Sequence, residues 1–154
     1  MGSGMKTGVS GVTIATTAAL MVGMCIGALG ATGLLAVPSV WDGVYTEEQA
    51  SRGRTLYDKE CAGCHLDSLL GDGLAPGLVA DSFTYRWQDG PVSDLFIVIK
   101  ATMPADRPSA LQDQEYADII AYLLKKNNYP SGSTELSKNQ ADLKEIGFKK
   151  AGGK

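Results

Sequence analysis

The chain has 154 residues, 19 of them glycine, with 44% hydrophobic and 20% charged side chains: length for one domain and little more, and a composition neither collagen-like nor disordered. A net charge of −3, with no basic stripe to neutralise phosphates, argues against a nucleic-acid partner. Three cysteines are too few for a disulfide-dense scaffold, and a single histidine is too few for a multi-histidine metal site.

The first element is an apolar run from Ala18 to Val37, with Lys6 before it and no further charge until Asp42. A basic start, an apolar stretch and small residues at a cut describe a secretory signal, and Val37-Pro38-Ser39 supplies a small residue at the cut. About twenty apolar residues also describe a membrane anchor through residues 18–37. Either reading exports the chain and predicts a periplasmic protein, soluble or anchored to the inner membrane. A buried core helix is the third reading, weakened by the glycines in the run. Cys25 is a small apolar filler there, and its surroundings fit a lipoprotein cleavage box poorly. Losing residues 1–39 removes Lys6 alone, so the remainder is slightly more acidic than the whole. The organisation expected is thus a leader or anchor over 1–39, a main domain over 40–130 and a tail over 131–154 that packs partly on the domain.

Three helices are predicted after the leader. The first runs from Thr46, a good N-cap followed by Glu47 and Glu48, to about Lys59. The second, from Ser93 to about Ala101, is carried by Leu95 to Ile99; composition alone would also allow a buried strand, but Ser93-Asp94 and the non-alternating run favour helix. The third, from Asp113 to about Asn127, places Tyr116, Ile119, Ile120, Leu123 and Leu124 at helical spacing, with Lys125 and Lys126 at its C-terminal end. Some thirty residues rich in Gly, Asp and Pro separate the first two helices. A loop of that length in a compact domain implies that it wraps something.

What it wraps is given by residues 61–65, Cys-Ala-Gly-Cys-His. C-x-x-C-H is the c-type haem attachment motif: Cys61 and Cys64 would add across the two vinyl groups of one haem c, and His65 would bind its iron. Zinc would need a fourth ligand that these residues do not supply. A thioredoxin-like dithiol would want a βαβ setting, and none is predicted. The sixth position would be filled by a neutral His or Met from elsewhere in the chain, or stay open. With His65 the only histidine, a second imidazole is excluded, and of the five methionines only Met103 lies beyond the leader. A lone methionine is ordinarily core filler. The isolation of Met103, with Pro104 after it, favours ligation, so the metal ligands expected are His65 and Met103.

These residues resemble the class I cytochromes c, an all-α family with three main helices wrapped around one covalently bound haem; the resemblance covers about residues 42–130. Gly53 and Tyr57, before Cys61, and Tyr122, in the last helix, correspond to the glycine and aromatics that pack where the terminal helices cross. Pro76 corresponds to the family's proline whose carbonyl accepts a hydrogen bond from the proximal imidazole, fixing the ring. Val40-Trp41-Asp42-Gly43-Val44-Tyr45-Thr46, the motif region, and the stretch from Thr102-Met103-Pro104 to Asn127-Asn128-Tyr129-Pro130 are similar to small cytochromes associated with quinoprotein (PQQ) dehydrogenases.

The resemblance implies a periplasmic carrier that passes single electrons from a dehydrogenase to a terminal oxidase or another cytochrome. It implies a positive potential and no enzymatic activity of its own. Two alternatives stay open: a cytochrome subunit of a membrane-associated dehydrogenase or respiratory complex, and a haem-based sensor, which would need Met103 to dissociate. Trp87 is either core packing or a donor to a haem propionate with Arg86 pairing its charge. Lys100 reads as a solvated residue at the haem rim. In the polar tail, Leu143, Ile146 and Phe148 are the candidates for pinning it to the body, and residues 151–154 should fray.

Overall fold

A computed structural model describes Gly8 and residues 38–149. The leader's apolar run and residues 151–154 therefore lie outside the described residues. Among those described, no helix is long and apolar enough to cross a membrane. The described helices all belong to the unit spanning Leu34–Lys154.

Among the described residues six helices follow in order: α1 (Glu47–Glu60), α2 (Ala62–His65), α3 (Ala80–Trp87), α4 (Val92–Thr102), α5 (Asp113–Lys126) and α6 (Gln140–Lys144), with one 3₁₀ turn at Val40–Asp42 before them. The three helices expected from sequence are α1, α4 and α5, each within a residue of its anticipated ends. Thr46 caps α1 as its composition suggests, its hydroxyl accepting from the Gln49 N–H at 3.1 Å. The apolar run at 95–99 is helical, with Leu95 and Phe96 buried, which removes the strand alternative. The interhelical segment is not structureless: it holds α2 and α3.

The fold is organised on the crossing of α1 and α5, and Gly53 sets its closeness. A Cβ at Gly53 would lie 1.8 Å from the Asp118 carbonyl oxygen and 3.0 Å from the Tyr122 Cβ, so only a glycine lets the backbones meet there. One turn on, the rings of Tyr57 and Tyr122 fill the crossing, centroids 5.3 Å apart. Beside them sits a buried polar knot. Asp118, 4% exposed, accepts from Gln49 Nε2 at 3.1 Å, from Arg52 Nε at 2.9 Å and from Gln114 Nε2 at 2.9 Å. Gln49, itself fully buried, also donates to the Leu136 carbonyl at 3.0 Å and accepts the Leu136 N–H at 2.6 Å. The amide thus fastens the segment after α5 to α1. Gln49→Ala would leave both Leu136 groups and one Asp118 oxygen short of a partner, at roughly 1–3 kcal/mol. Urea unfolding should show that loss as a lower midpoint at unchanged slope.

The C-terminal segment is stitched to the body more closely than its polar sequence suggests. Leu143 is fully buried and Phe148 nearly so, its ring edge-on to Phe83 and to Tyr129. Its backbone joins three parts of the chain: Val40 N–H donates to Gly147 O at 3.0 Å, Gly147 N–H to Pro38 O at 2.9 Å, and Val92 N–H to Ile146 O at 2.8 Å. Ser39, the last residue of the leader as read from sequence, is buried here, and its hydroxyl donates to the Lys149 carbonyl at 2.7 Å.

Candidate haem-binding site

Cys61 stands between α1 and α2, the C-cap of one and the N-cap of the other. The N–H groups of Cys64 and His65 both donate to the Cys61 carbonyl, at 3.1 and 3.0 Å, closing the single turn of α2. That turn puts the two sulfurs three residues apart on one helical face. Both thiols are free, Cys64 exposed and Cys61 partly buried. Burial, with the nearby Cys64 second, pushes the Cys61 thiol up to about 11.

His65 follows directly, and its ring is buried. Its Nδ1 lies 2.9 Å from the Pro76 carbonyl. A carbonyl only accepts, so Nδ1 carries the proton and Nε2 keeps its lone pair. Among the described residues nothing bonds to Nε2. An imidazole held at one nitrogen and open at the other is the arrangement a metal-binding histidine needs.

The loop that presents Pro76 is held at several points. The Tyr57 hydroxyl donates to the Leu66 carbonyl at 2.8 Å, and burial pushes that phenol well above the ordinary tyrosine range. Gly71 N–H donates to the His65 carbonyl at 3.2 Å, and Leu78 N–H to the Leu69 carbonyl at 2.7 Å. Gly71 has φ +73°, and a Cβ there would come within 2.1 Å of the Ala75 carbonyl oxygen, so the turn requires glycine. Asp72 Oδ1 accepts from the Leu74 and Ala75 N–H groups, 2.9 Å each; those bonds hold its carboxyl below the usual carboxylate range.

Met103 lies at the C-terminal end of α4, half-buried, its N–H donating to the Ile99 carbonyl at 2.8 Å. Its carbonyl accepts from the fully buried Tyr116 hydroxyl at 3.0 Å. The backbone carrying the thioether is therefore fixed from both α4 and α5. Two thiols one turn apart, an imidazole with a free Nε2 and a thioether on an anchored backbone form a donor set that fits haem c.

Trp87 ends α3 partly buried against the core, and Arg86 is exposed with its guanidinium carbon 5.2 Å from the Trp87 ring centre, so these two side chains meet each other. Lys100 is partly exposed, in keeping with the solvated residue read from sequence, and it also has partners. Its ammonium pairs with Asp113 at 2.5 Å and lies 5.9 Å from the Phe96 ring centre. Sequence reasoning also missed the Tyr116 hydroxyl on Met103 and an ion pair between Glu60 and Arg107. Neither has a local signature, since each joins residues on different elements.

Residues 48–123 match the family model described as cytochrome C oxidase, cbb3-type, subunit III. That span runs from the first turn of α1 into the last turns of α5 and takes in Cys61, Cys64, His65, Pro76, Trp87 and Met103. No curated protein and no solved structure matched the chain. Over this stretch the chain is similar to a c-type cytochrome domain, and covalently attached haem c is the cofactor such a domain binds.

Proposed function

We propose that the chain is an exported monohaem electron carrier, its haem attached through Cys61 and Cys64 and its iron bound by His65 and Met103. The observation that carries this reading is the His65 ring, one residue past Cys64, with Nδ1 committed to the Pro76 carbonyl and Nε2 left for the iron. When bound, the haem supplies a one-electron couple. The chain's own part is to fix the imidazole, to present the thioether and to bury the centre against water, which together raise the potential. With both axial positions filled no substrate reaches the iron, so the protein acts by transfer alone. Its partners would be a dehydrogenase, of the quinoprotein kind by the sequence resemblance, and an oxidase or second cytochrome, met through small transient contacts. The place of work would be the periplasm, with the chain soluble or held at the inner membrane through residues 18–37.

The match to an oxidase subunit favours a second reading, a cytochrome subunit lodged in a respiratory complex. Detergent extracts separate the two: a free carrier runs alone, and a subunit migrates with oxidase haems. The haem reading itself is tested by Cys61→Ala/Cys64→Ala. Denaturing gels stained for haem should lose the band completely in the double variant, and each single variant should hold one thioether at most. Haem that survives denaturation in the double variant would remove the assignment. The domain is small and its core modest, so the haem-free double variant should also lose most of its cooperative unfolding.

A further inference from the structure

We propose that Arg107 is a positioning residue for the sixth iron ligand, acting through its ion pair with Glu60. The inference rests on Met103 ligation as proposed above.

Met103 opens a loop that runs to the start of α5 at Asp113. The base of that loop is closed twice. Lys100 pairs with Asp113 at 2.5 Å, and Ser109 sends both its N–H and its hydroxyl to the Lys100 carbonyl, each at 3.0 Å. Near Met103 the backbone turns, with the Arg107 N–H donating to the Pro104 carbonyl at 3.0 Å. From that turn the Arg107 guanidinium reaches across to the Glu60 carboxylate. Glu60 is the last residue of α1 and the one before Cys61. The contact therefore links the methionine loop directly to the attachment motif, two parts of the chain that meet the haem from different elements.

The burial of the Glu60 side chain makes this more than a surface pair. The Glu60 side chain is 4% exposed, while Arg107 is 47% exposed. A buried carboxylate must be matched by a cation, or it weakens whatever buries it. Lys59 also reaches Glu60, at 3.0 Å, but its side chain is 77% exposed and spends its charge largely on water. Arg107 is the cation that arrives from the loop, so Glu60 is fully matched only while that loop is down. The pair therefore biases the loop toward the closed position, in which the Met103 thioether is delivered to the iron.

The test uses the haem-loaded protein in its oxidised form and imidazole as the competing ligand. Imidazole binds only when Met103 leaves, so its apparent affinity reports the closed-to-open equilibrium. Arg107→Ala should bind imidazole roughly fivefold more tightly, the factor that corresponds to a pair worth about 1 kcal/mol. Glu60→Gln, which keeps size and hydrogen bonding, should do nearly the same. The double variant should bind no tighter than Arg107→Ala, because the two changes break one interaction. Arg107→Lys should recover at least half the effect, and the sulfur-to-iron absorption band should weaken in step with each gain in imidazole affinity.

Unchanged imidazole affinity in Glu60→Gln, with the sulfur band intact, would overturn the proposal even if thermal stability fell; the pair would then be structural alone. Additive effects in the double variant would overturn it as well. If Arg107→Ala does not accumulate with haem, Glu60→Gln reads the same quantity by itself. Failure of the ligation reading looks different: the unaltered protein would lack the sulfur band, and Met103→Leu would leave imidazole affinity where it was.

Discussion

Met103→Leu should lower the reduction potential by a large margin, on the order of a tenth of a volt or more within the roughly 0.8 V that axial ligation spans. A thioether is a soft neutral donor that favours the ferrous state, and leucine offers no donor at all. The substitution conserves volume, so packing alone would change little. The backbone at this position is also pinned independently of the side chain, by the Ile99 carbonyl on one side and the Tyr116 hydroxyl on the other. The sulfur is thus the only thing removed. Spectroelectrochemistry should record the fall, the sulfur-to-iron band should vanish, and reduced protein should take up carbon monoxide. Met103→His should restore six-coordination and leave the potential low. An unchanged potential and band in Met103→Leu would strike out the axial assignment. Lys100 would be a poor replacement, since its ammonium is already paired with Asp113.

Gly53→Ala should be the most damaging small substitution in the fold. The added methyl would meet the Asp118 carbonyl oxygen at 1.8 Å and its carbon at 2.5 Å, both backbone atoms of a helix that cannot rotate away. The helices α1 and α5 must part, which separates the Tyr57 and Tyr122 rings and stretches the Gln49 bond to Asp118. Overpacking of this kind costs about 3 kcal/mol or more, and for a domain of this size that is a fall of roughly 10 °C or more in Tm. Gly63→Ala is the contrasting case: a Cβ there meets nothing within 4 Å, and stability should stay within about 0.5 kcal/mol. Calorimetry on the pair decides the matter. Equal Tm values would mean that α1 and α5 do not approach as closely as described.

The parts of this structure that were legible in the sequence are those whose physics is local. Thr46 before two glutamates caps α1 within its own first turn, and the period of Tyr116 to Leu124 marks α5 as a helix, which the structure buries on all sides from Tyr116 to Leu124. The C-x-x-C-H turn was readable for the same reason, because it lies within a few residues of one helix, whereas Gly53 and Tyr57, which meet Tyr122 on another helix, were placed by the resemblance to class I cytochromes c. The failures have a common cause of the opposite kind. Helix α3 has no capping side chain of its own, and Phe83 is its one buried residue. Its first N–H is capped by Asn127 Oδ1 at 3.1 Å, from beyond the end of α5, while the same amide donates to the Leu78 carbonyl at 2.9 Å. No window around residue 80 contains that partner. The Glu60–Arg107 pair and the Gln49 clasp on Leu136 were hidden likewise, since charge and amide content say nothing about which distant group will answer them. Helix α6 had its signal in Asn139 and Leu143, but five residues are too few for a period to show.

The way residues 38–40 meet residues 147–149 has a mechanical consequence. The contact at Ser39 and Gly147 runs parallel, so the polypeptide departs from it in opposite directions at the two ends. Tension applied through the ends would slide these short segments past each other and load their bonds together, in shear, instead of peeling them open one at a time. The bonds that take this load are Val40 N–H to Gly147 O, Gly147 N–H to Pro38 O, and the Ser39 hydroxyl to Lys149 O. A domain pulled at its ends would thus give way first at this clasp, and until it did, the turn at Cys61–His65 would feel none of the force.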